Sequence, residues 1–290
     1  MSSFAPAVAP RPRPLRLQQR LAFAPAALVV AALTLFVSLP LYSMVATAFK
    51  TDKEIYDDFS YIPRQPTLIQ FERVIVGDRF FVNIQNSVIV ATTTTVVSVT
   101  MSVLAAFAVV RLRFYGRVWI ARLILFKYLL PTTLIYIPLF LVVNGLGLAN
   151  TLQSLIFTYL SFSIPFATWL LMGYFRGIPA ELEEQAMIDG CSRIGAMLRV
   201  LLPIAAPGVV AAAIFTFTGA WNEFLLALVF INRPALQTVP VKLSSMIVGD
   251  QYVWGSIMAG AILASLPVVV LYFLAQRFVV SGLAAGAVKG

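Results

Sequence analysis

Six apolar runs, near residues 24–47, 86–110, 118–142, 152–175, 205–230 and 256–279, constrain this chain more than any other feature. Each is long enough to cross a hydrocarbon core as a helix, which takes ~20 residues at about 1.5 Å of rise per residue. A backbone in lipid must satisfy its own hydrogen bonds, so spanning segments are helices or the strands of closed barrels. The short segments of alternating polarity that mark a membrane barrel are absent. Composition agrees, with 60% hydrophobic and 11% charged residues against about 25% charged in soluble chains. The expected class is all-α integral membrane, six transmembrane helices with no soluble domain.

A net charge of +9 raises nucleic acid as a partner, and the placement of the charges argues against it. Arg11, Arg13, Arg16 and Arg20 precede the first run, and Arg111, Arg113, Arg117 and Arg122 flank the second loop, whereas Asn144 to Thr151 holds no basic residue. The positive-inside rule then places the N-terminus in the cytoplasm, and six crossings return the C-terminus to the same side. The long loop 49–85 carries five basic residues among six acids, and long loops constrain orientation little. The expected organisation is a basic Pro-rich cytoplasmic tail at 1–22, a transmembrane unit at 23–280 and a short cytoplasmic tail at 281–290. The first run is too long for a cleaved signal peptide and reads as a retained helix. With no histidine and one cysteine, Cys191, the chain lacks His-based catalysis, His-ligated metal and an internal disulfide.

Loop 49–85, punctuated by Pro63 and Pro66, gathers Tyr56, Phe59, Tyr61 and Phe71. It is too short for a core of its own and is expected on the outer rim of the bundle. The second run is rich in hydroxyls, Thr92 to Thr95, Ser98, Thr100 and Ser102, which read as helix-packing residues. The third contains Pro131 and Pro138, which bend helices, and Lys127, roughly 15 Å beyond Arg117 along a helix. A lysine at that depth snorkels to the cytoplasmic surface or pairs with an acid of another subunit. The fifth carries Trp221-Asn222-Glu223, and Glu223 is the only acid within any of the six runs. Asn222 and Glu223 read equally as ligands for a hydroxylated substrate and as a structural hydrogen-bond cluster. Loop 231–254 ends in Asp250-Gln251-Tyr252-Val253-Trp254, whose aromatics suit a membrane–water interface.

Between the fourth and fifth runs lies an acid-led segment, residues 178–203, that reads as a helical hairpin. Pro179 suits the first helical position, and Glu181, Glu183 and Glu184 suit the first turn, where the helix dipole favours acids. Gly190 suits the left-handed C′ position, and Ser192 can cap the next helix. There, Ile194, Met197, Leu198 and Leu201 fall at i, i+3, i+4 and i+7, one apolar stripe that needs burial. A lipid-surface helix carries basic residues on its polar face. The acidic first arm therefore favours a protein partner.

The hairpin resembles the EAA loop of bacterial ABC importer permeases, a Glu-Ala-Ala, three residues, a Gly and a distant Leu-Pro. Glu184, Ala186, Asp189, Gly190, Leu202 and Pro203 match, while Gln185 and Cys191 depart from the usual alanines. Asn86-Ser87, Ala105-Ala106-Phe107-Ala108, Arg111-Leu112-Arg113-Phe114, Ile137-Pro138-Leu139, Leu146-Gly147-Leu148 with Asn150-Thr151, Trp221-Asn222-Glu223-Phe224 and the terminal Gly282-Leu283 to Gly290 are similar to the carbohydrate-importing, MalG-like branch. Lys127 departs from that branch.

The resemblance implies a type I ABC importer permease fold in the bacterial inner membrane. It implies a second permease subunit, two cytoplasmic ABC ATPases and an extracytoplasmic solute-binding protein as partners, besides membrane lipid. The chain holds no G-x-x-x-x-G-K-[ST] run, so it is expected not to be an enzyme, with ATP and Mg bound by the partner ATPase. The ATPase-coupling residues implied are Glu184, Ala186, Asp189, Gly190, Ile194, Met197 and Leu198, and Asn222 and Glu223 are carried as substrate-pathway candidates. The implied cargo is a sugar or oligosaccharide, with glycerophosphodiesters or polyols as the alternative. An ATP-independent carrier is the rival class; such proteins often show paired broken helices and buried midplane charges, whereas this chain offers Lys127 and Glu223 at different depths and no clear internal repeat.

Overall fold

The computed structural model describes residues 17–58, 60–248 and 251–287. Arg11, Arg13, Arg16, Phe59, Asp250 and the terminal Val288-Lys289-Gly290 lie outside the described residues. The chain runs through α1 (Leu17–Ala48), two short helices α2 (Asp52–Tyr56) and α3 (Ile69–Glu72), and a π-helical turn Arg73–Gly77 into α4 (Phe80–Arg111). Next come α5 (Arg117–Leu129), a 3-10 turn Thr132–Ile135, α6 (Tyr136–Gly145) and α7 (Leu152–Arg176). The hairpin comprises α8 (Glu181–Ile188), α9 (Arg193–Ala196), a π-helical turn Met197–Leu201 and α10 (Leu202–Ile204). It leads to α11 (Ala206–Asn222), α12 (Leu225–Phe230), α13 (Val239–Ser245) and α14 (Trp254–Ala287). The described strands are a pair of two-residue segments, Ile247–Val248 and Gln251–Tyr252, antiparallel with Ile247 opposite Tyr252.

Four continuous stretches are long and apolar enough to cross a membrane among the described residues: Pro25–Ala48, Phe80–Arg111, Leu152–Arg176 and Trp254–Gln276. The runs expected as single spans at 118–142 and 205–230 are each broken. In the first, Leu130 turns to extended backbone (φ −66°, ψ 132°), because Pro131 disfavours the helical region for the residue before it. In the second, Glu223 is extended (φ −67°, ψ 126°) between α11 and α12. The second span also opens earlier than expected, at Phe80 rather than residue 86.

The bundle is built on α4 against α7, with α11 packed on both. Hydroxyls at Thr94, Ser98 and Ser102 recur every four residues of α4 and are fully buried, and the Ser102 hydroxyl donates to the Ile164 carbonyl of α7 (3.1 Å). Small hydroxyl residues let helices approach and bond across, the packing role expected for the whole set, whereas Thr92, Thr93 and Thr100 are exposed and do not share it. Gly208 does the same on α11, where a Cβ would sit 2.4 Å from the Tyr174 ring of α7. Two cores result, one at each end. Val90, Tyr159, Trp221 and Phe230 belong to one, and Phe107, Leu171, Phe175, Met197 and Leu201 to the other, against the hairpin.

Candidate functional site

The hairpin closes its own turn. The Cys191 N–H donates to the Ala186 carbonyl (3.0 Å) and the Gly190 N–H to Met187 (3.1 Å), the two bonds that satisfy the orphan carbonyls of a helix ending in a left-handed residue. Gly190 is that residue, at φ 92°. Two residues on, the Ser192 hydroxyl accepts from the Gly195 N–H (3.1 Å) and opens the second arm. That arm, continuous from Arg193 to Ile204, meets α11 at 78°, so it lies across the bundle instead of prolonging the fifth span.

Two details differ from expectation. Pro179 precedes the first arm, which begins at Glu181 after Ala180 and has no side-chain cap. The apolar stripe divides: Met197 and Leu201 are buried at 2% and 0% exposure, whereas Ile194 and Leu198 stand out at 64% and 53%. The π-helical turn over Met197–Leu201 is the cause. Its extra residue per turn rotates Leu201 back beside Met197, away from Ile194 and Leu198. The buried half seals the hairpin to α4 and α7. Ile188, at the end of α8 beside Asp189 and one turn on from Glu184, is likewise exposed, at 84%, as are both acids.

One acid of the first arm has a role that composition does not announce. Glu183 is buried and accepts from Arg111 Nε (2.6 Å) at the end of α4, while Arg111 Nη2 donates to the Ile178 carbonyl (2.8 Å). A charge-assisted pair of this kind is short and directional. Glu183 and Glu184 are adjacent in sequence but about 100° apart around a helix, so one locks the hairpin to α4 while the other faces outward. A cavity of about 630 Å³ opens beside this pair, lined by Arg113, Arg117, Glu184, Met187 and Arg193 among others.

At the other end of α11 the two substrate-pathway candidates part company. Asn222 is exposed, and its side-chain amide donates to the Thr218 carbonyl (3.0 Å). Glu223 accepts from the Tyr159 hydroxyl (2.8 Å) and from the N–H groups of Leu226 (2.9 Å) and Ala227 (3.1 Å), which frees α12 to start after the break. It also lines a cavity of about 250 Å³ with Tyr136, Phe162, Phe166, Phe215 and Thr216. Asn222 does not line that cavity, and Trp221 belongs to the core, stacked on Phe217 at 5.7 Å. The Lys127 ammonium lies over the Phe162 ring, 4.5 Å from its centre, and among the described residues no acid is within ion-pair distance of it.

The loops at that end are tied to the bundle by side chains far apart in sequence. Asn83 and Asn86 donate to the Gln237 carbonyl (2.9 and 3.0 Å), Asn86 also to Ala235 (2.9 Å), and the Val239 N–H donates to the Ser87 hydroxyl (2.8 Å). Lys242 pairs with Asp78 at 2.9 Å. Gln70, fully buried, donates to Asp52 and accepts from Ser256, so loop 49–85 sits on the start of α14.

The family model described as binding-protein-dependent transport system inner membrane component matches residues 98–284. The inner membrane ABC transporter permease protein YcjP of Escherichia coli is 36% identical over 89% of this chain and 92% of that protein. The sulfoquinovosyl glycerol transport system permease SmoH of Agrobacterium fabrum is 38% identical, covering 87% and 88%. The trehalose/maltose permease MalG of Thermococcus litoralis is 35% identical, covering 91% and 95%. Among solved structures, a chain of a bacterial ABC transporter that imports the acidic polysaccharide alginate superposes with a TM-score of 0.79 at 19% identity, over 91% of this chain and 98% of that one.

Proposed function

The chain belongs to the binding-protein-dependent transport system inner membrane components, and from that premise we propose that the hairpin 178–203 drives sugar passage by docking into an ATPase subunit. As a multi-pass inner-membrane permease of an ABC importer it is not itself an enzyme, since the ATPase in such systems is a separate subunit. In this reading the partners are a second permease, two cytoplasmic ATPases that hold ATP and Mg, and an extracytoplasmic binding protein. The termini then lie in the cytoplasm. The cargo is a sugar or oligosaccharide, in keeping with the saccharides named for SmoH and the T. litoralis MalG.

The observation that carries the proposal is the split of the hairpin's apolar residues. Met197 and Leu201 anchor it, while Ile188, Ile194 and Leu198 remain exposed on the two arms that flank the capped turn. Exposed apolar side chains rimmed by charge mark an interaction surface. Glu184 and Asp189 supply that rim, and Glu184 faces a basic residue of the ATPase. Ala186, half-buried and carrying the carbonyl that Cys191 closes on, keeps the turn compact. Closure of the ATPase pair displaces the hairpin. The Arg111–Glu183 pair carries the displacement into α4 and the Met197–Leu201 contacts carry it into α7, so the bundle exchanges one access state for the other.

Purification of the tagged chain from native membranes in mild detergent tests the assembly. A second permease and a P-loop ATPase with ATP-hydrolysing activity are the expected companions. A homo-oligomer without ATPase in several detergents would overturn the docking role. Gly190→Val tests the hinge: at φ 92°, a β-branched residue is strained although a Cβ meets no atom within 4 Å. Transport should fall while ATP hydrolysis persists, and an unchanged transport-to-hydrolysis ratio would refute the hinge geometry.

A further inference from the structure

The hairpin end gathers more positive charge than its ion pairs use. Arg111, Arg113, Arg117 and Arg193 converge on the cavity of about 630 Å³ enclosed by the end of α4, the turn into α5 and the two arms of the hairpin. Glu183 neutralises Arg111. Among the described residues, no acid lies within ion-pair distance of Arg113, Arg117 or Arg193, although exposed Glu184 lines the same cavity. Arg117 donates to the Leu112 carbonyl (3.4 Å), and Arg113 and Arg193 are exposed. Like charges gathered around one space repel each other, a cost that an anion seated among them removes.

Aromatic side chains mark the depth of this cavity. Tyr115 is fully exposed in the turn between α4 and α5, and Trp119, in the first turn of α5, is 67% exposed with the Arg122 guanidinium 5.3 Å from its ring centre. Exposed Trp and Tyr at the end of a spanning helix belong to the membrane–water interface. The inner wall is Phe107 and Val110 of α4, itself a span. The cavity therefore lies at headgroup level. The exposed apolar residues of the hairpin, Ile188, Ile194 and Leu198, do not line it, so it is separate from the docking face.

We propose that this cavity binds the headgroup of an anionic phospholipid, its phosphate held by Arg113, Arg117 and Arg193. Basic pockets between spanning helices at the cytoplasmic surface suit such headgroups, and the planar guanidinium fork matches phosphate oxygens two at a time. A choline headgroup would bring its own cation among the arginines and bind less well. Arg113 and Arg117 belong to the turn into α5 and Arg193 to the second arm of the hairpin. A phosphate shared between them ties the hairpin to the bundle, beside the Arg111–Glu183 pair. The cytoplasmic side rests on the orientation proposed above, whereas the lipid chemistry rests on the cavity alone.

The test follows amide exchange of residues 178–203 in the full-length chain, held in phosphatidylcholine nanodiscs to which phosphatidylglycerol is added stepwise. Both faces of a nanodisc present both lipids, so the result does not depend on orientation or on ATPase docking. Phosphatidylglycerol should slow hairpin exchange in the wild type. Arg113→Gln and Arg193→Gln should each raise the phosphatidylglycerol fraction needed for half of that protection about fivefold, the loss of one arginine near an anionic surface. Arg122→Gln and Arg199→Gln remove charges that do not line the cavity, and should shift it by less than about twofold. In phosphatidylcholine alone, Arg113→Gln and Arg193→Gln should melt no earlier than wild type, because each relieves repulsion. Native mass spectrometry of the wild type should retain phosphatidylglycerol over phosphatidylcholine, a readout that needs no substitution. Equal shifts in all four variants would reduce the effect to general surface attraction and overturn the site. Hairpin protection by inorganic phosphate in phosphatidylcholine alone would overturn the lipid source. No phosphatidylglycerol-dependent protection in the wild type would refute the proposal and leave the importer reading standing.

Discussion

The two ends of this bundle are held by different means. The hairpin end is organised mainly by residues close in sequence: Gly190, Ser192 and the α8 carbonyls close the turn locally, and one buried ion pair, Arg111–Glu183, links its first arm to α4. The opposite end is stitched by contacts far apart in sequence, from Asn83, Asn86 and Ser87 to residues 234–239 and from Gln70 to Ser256. A unit that moves as one piece, as proposed for the hairpin, benefits from local closure and strong attachments. Loops that frame a bundle need many attachments to backbone carbonyls, because irregular backbone has no internal partner for its polar groups.

Breaking the Arg111–Glu183 pair should have the largest effect. Arg111→Ala leaves Glu183 buried and unpaired, a loss on the order of 3 kcal/mol. The expected outcome is a lower melting temperature with faster protease cleavage within residues 178–203, and cleavage no faster than wild type would show that the pair is not the strut. Distributed attachment should yield less. Asn86→Leu removes two hydrogen bonds to the Ala235 and Gln237 carbonyls, a loss of about 2 kcal/mol. Amide exchange should accelerate in residues 234–245 and leave the hairpin unchanged, and acceleration at both ends would erase the distinction between them. Gly190→Ala should cost about 1 kcal/mol, the strain of a side chain in left-handed backbone, because no steric clash adds to it. Calorimetry on the purified chain checks the figure, and a loss as large as that of Arg111→Ala would mean the turn is not locally closed.

The smallest effect is acid sensitivity in loop 49–85. Glu54 accepts from the Ser60 hydroxyl (2.6 Å) and the Arg64 N–H (2.7 Å), bonds that hold its carboxyl below the usual carboxylate range. A lowered folded-state pKa gives stability that is complete above the unfolded value and lost as pH falls through the folded one. Amide exchange across residues 51–64 should therefore rise on acidification before the hairpin amides respond. Synchronous change at both ends would contradict this assignment.

The sequence determined the membrane-spanning class, the left-handed glycine and the serine cap of the hairpin, because these depend on run length and on neighbours within a few residues. It also marked α4 as rich in packing hydroxyls, but which of them pack was not legible: Thr94, Ser98 and Ser102 are buried, whereas Thr92, Thr93 and Thr100 are exposed. The break in the apolar run 205–230 was not legible, since nothing in Trp221-Asn222-Glu223-Phe224 forbids a helix. The extended residue at 223 makes sense only once the Glu223 carboxylate is seen capping Leu226 and Ala227 while also binding Tyr159. The different fates of Asn222 and Glu223, of Glu183 and Glu184, and of Met197 and Leu198 were likewise decided by tertiary structure. Adjacent residues on a helix point about 100° apart, and a sequence records the order of side chains without recording which of those directions meets a neighbouring helix.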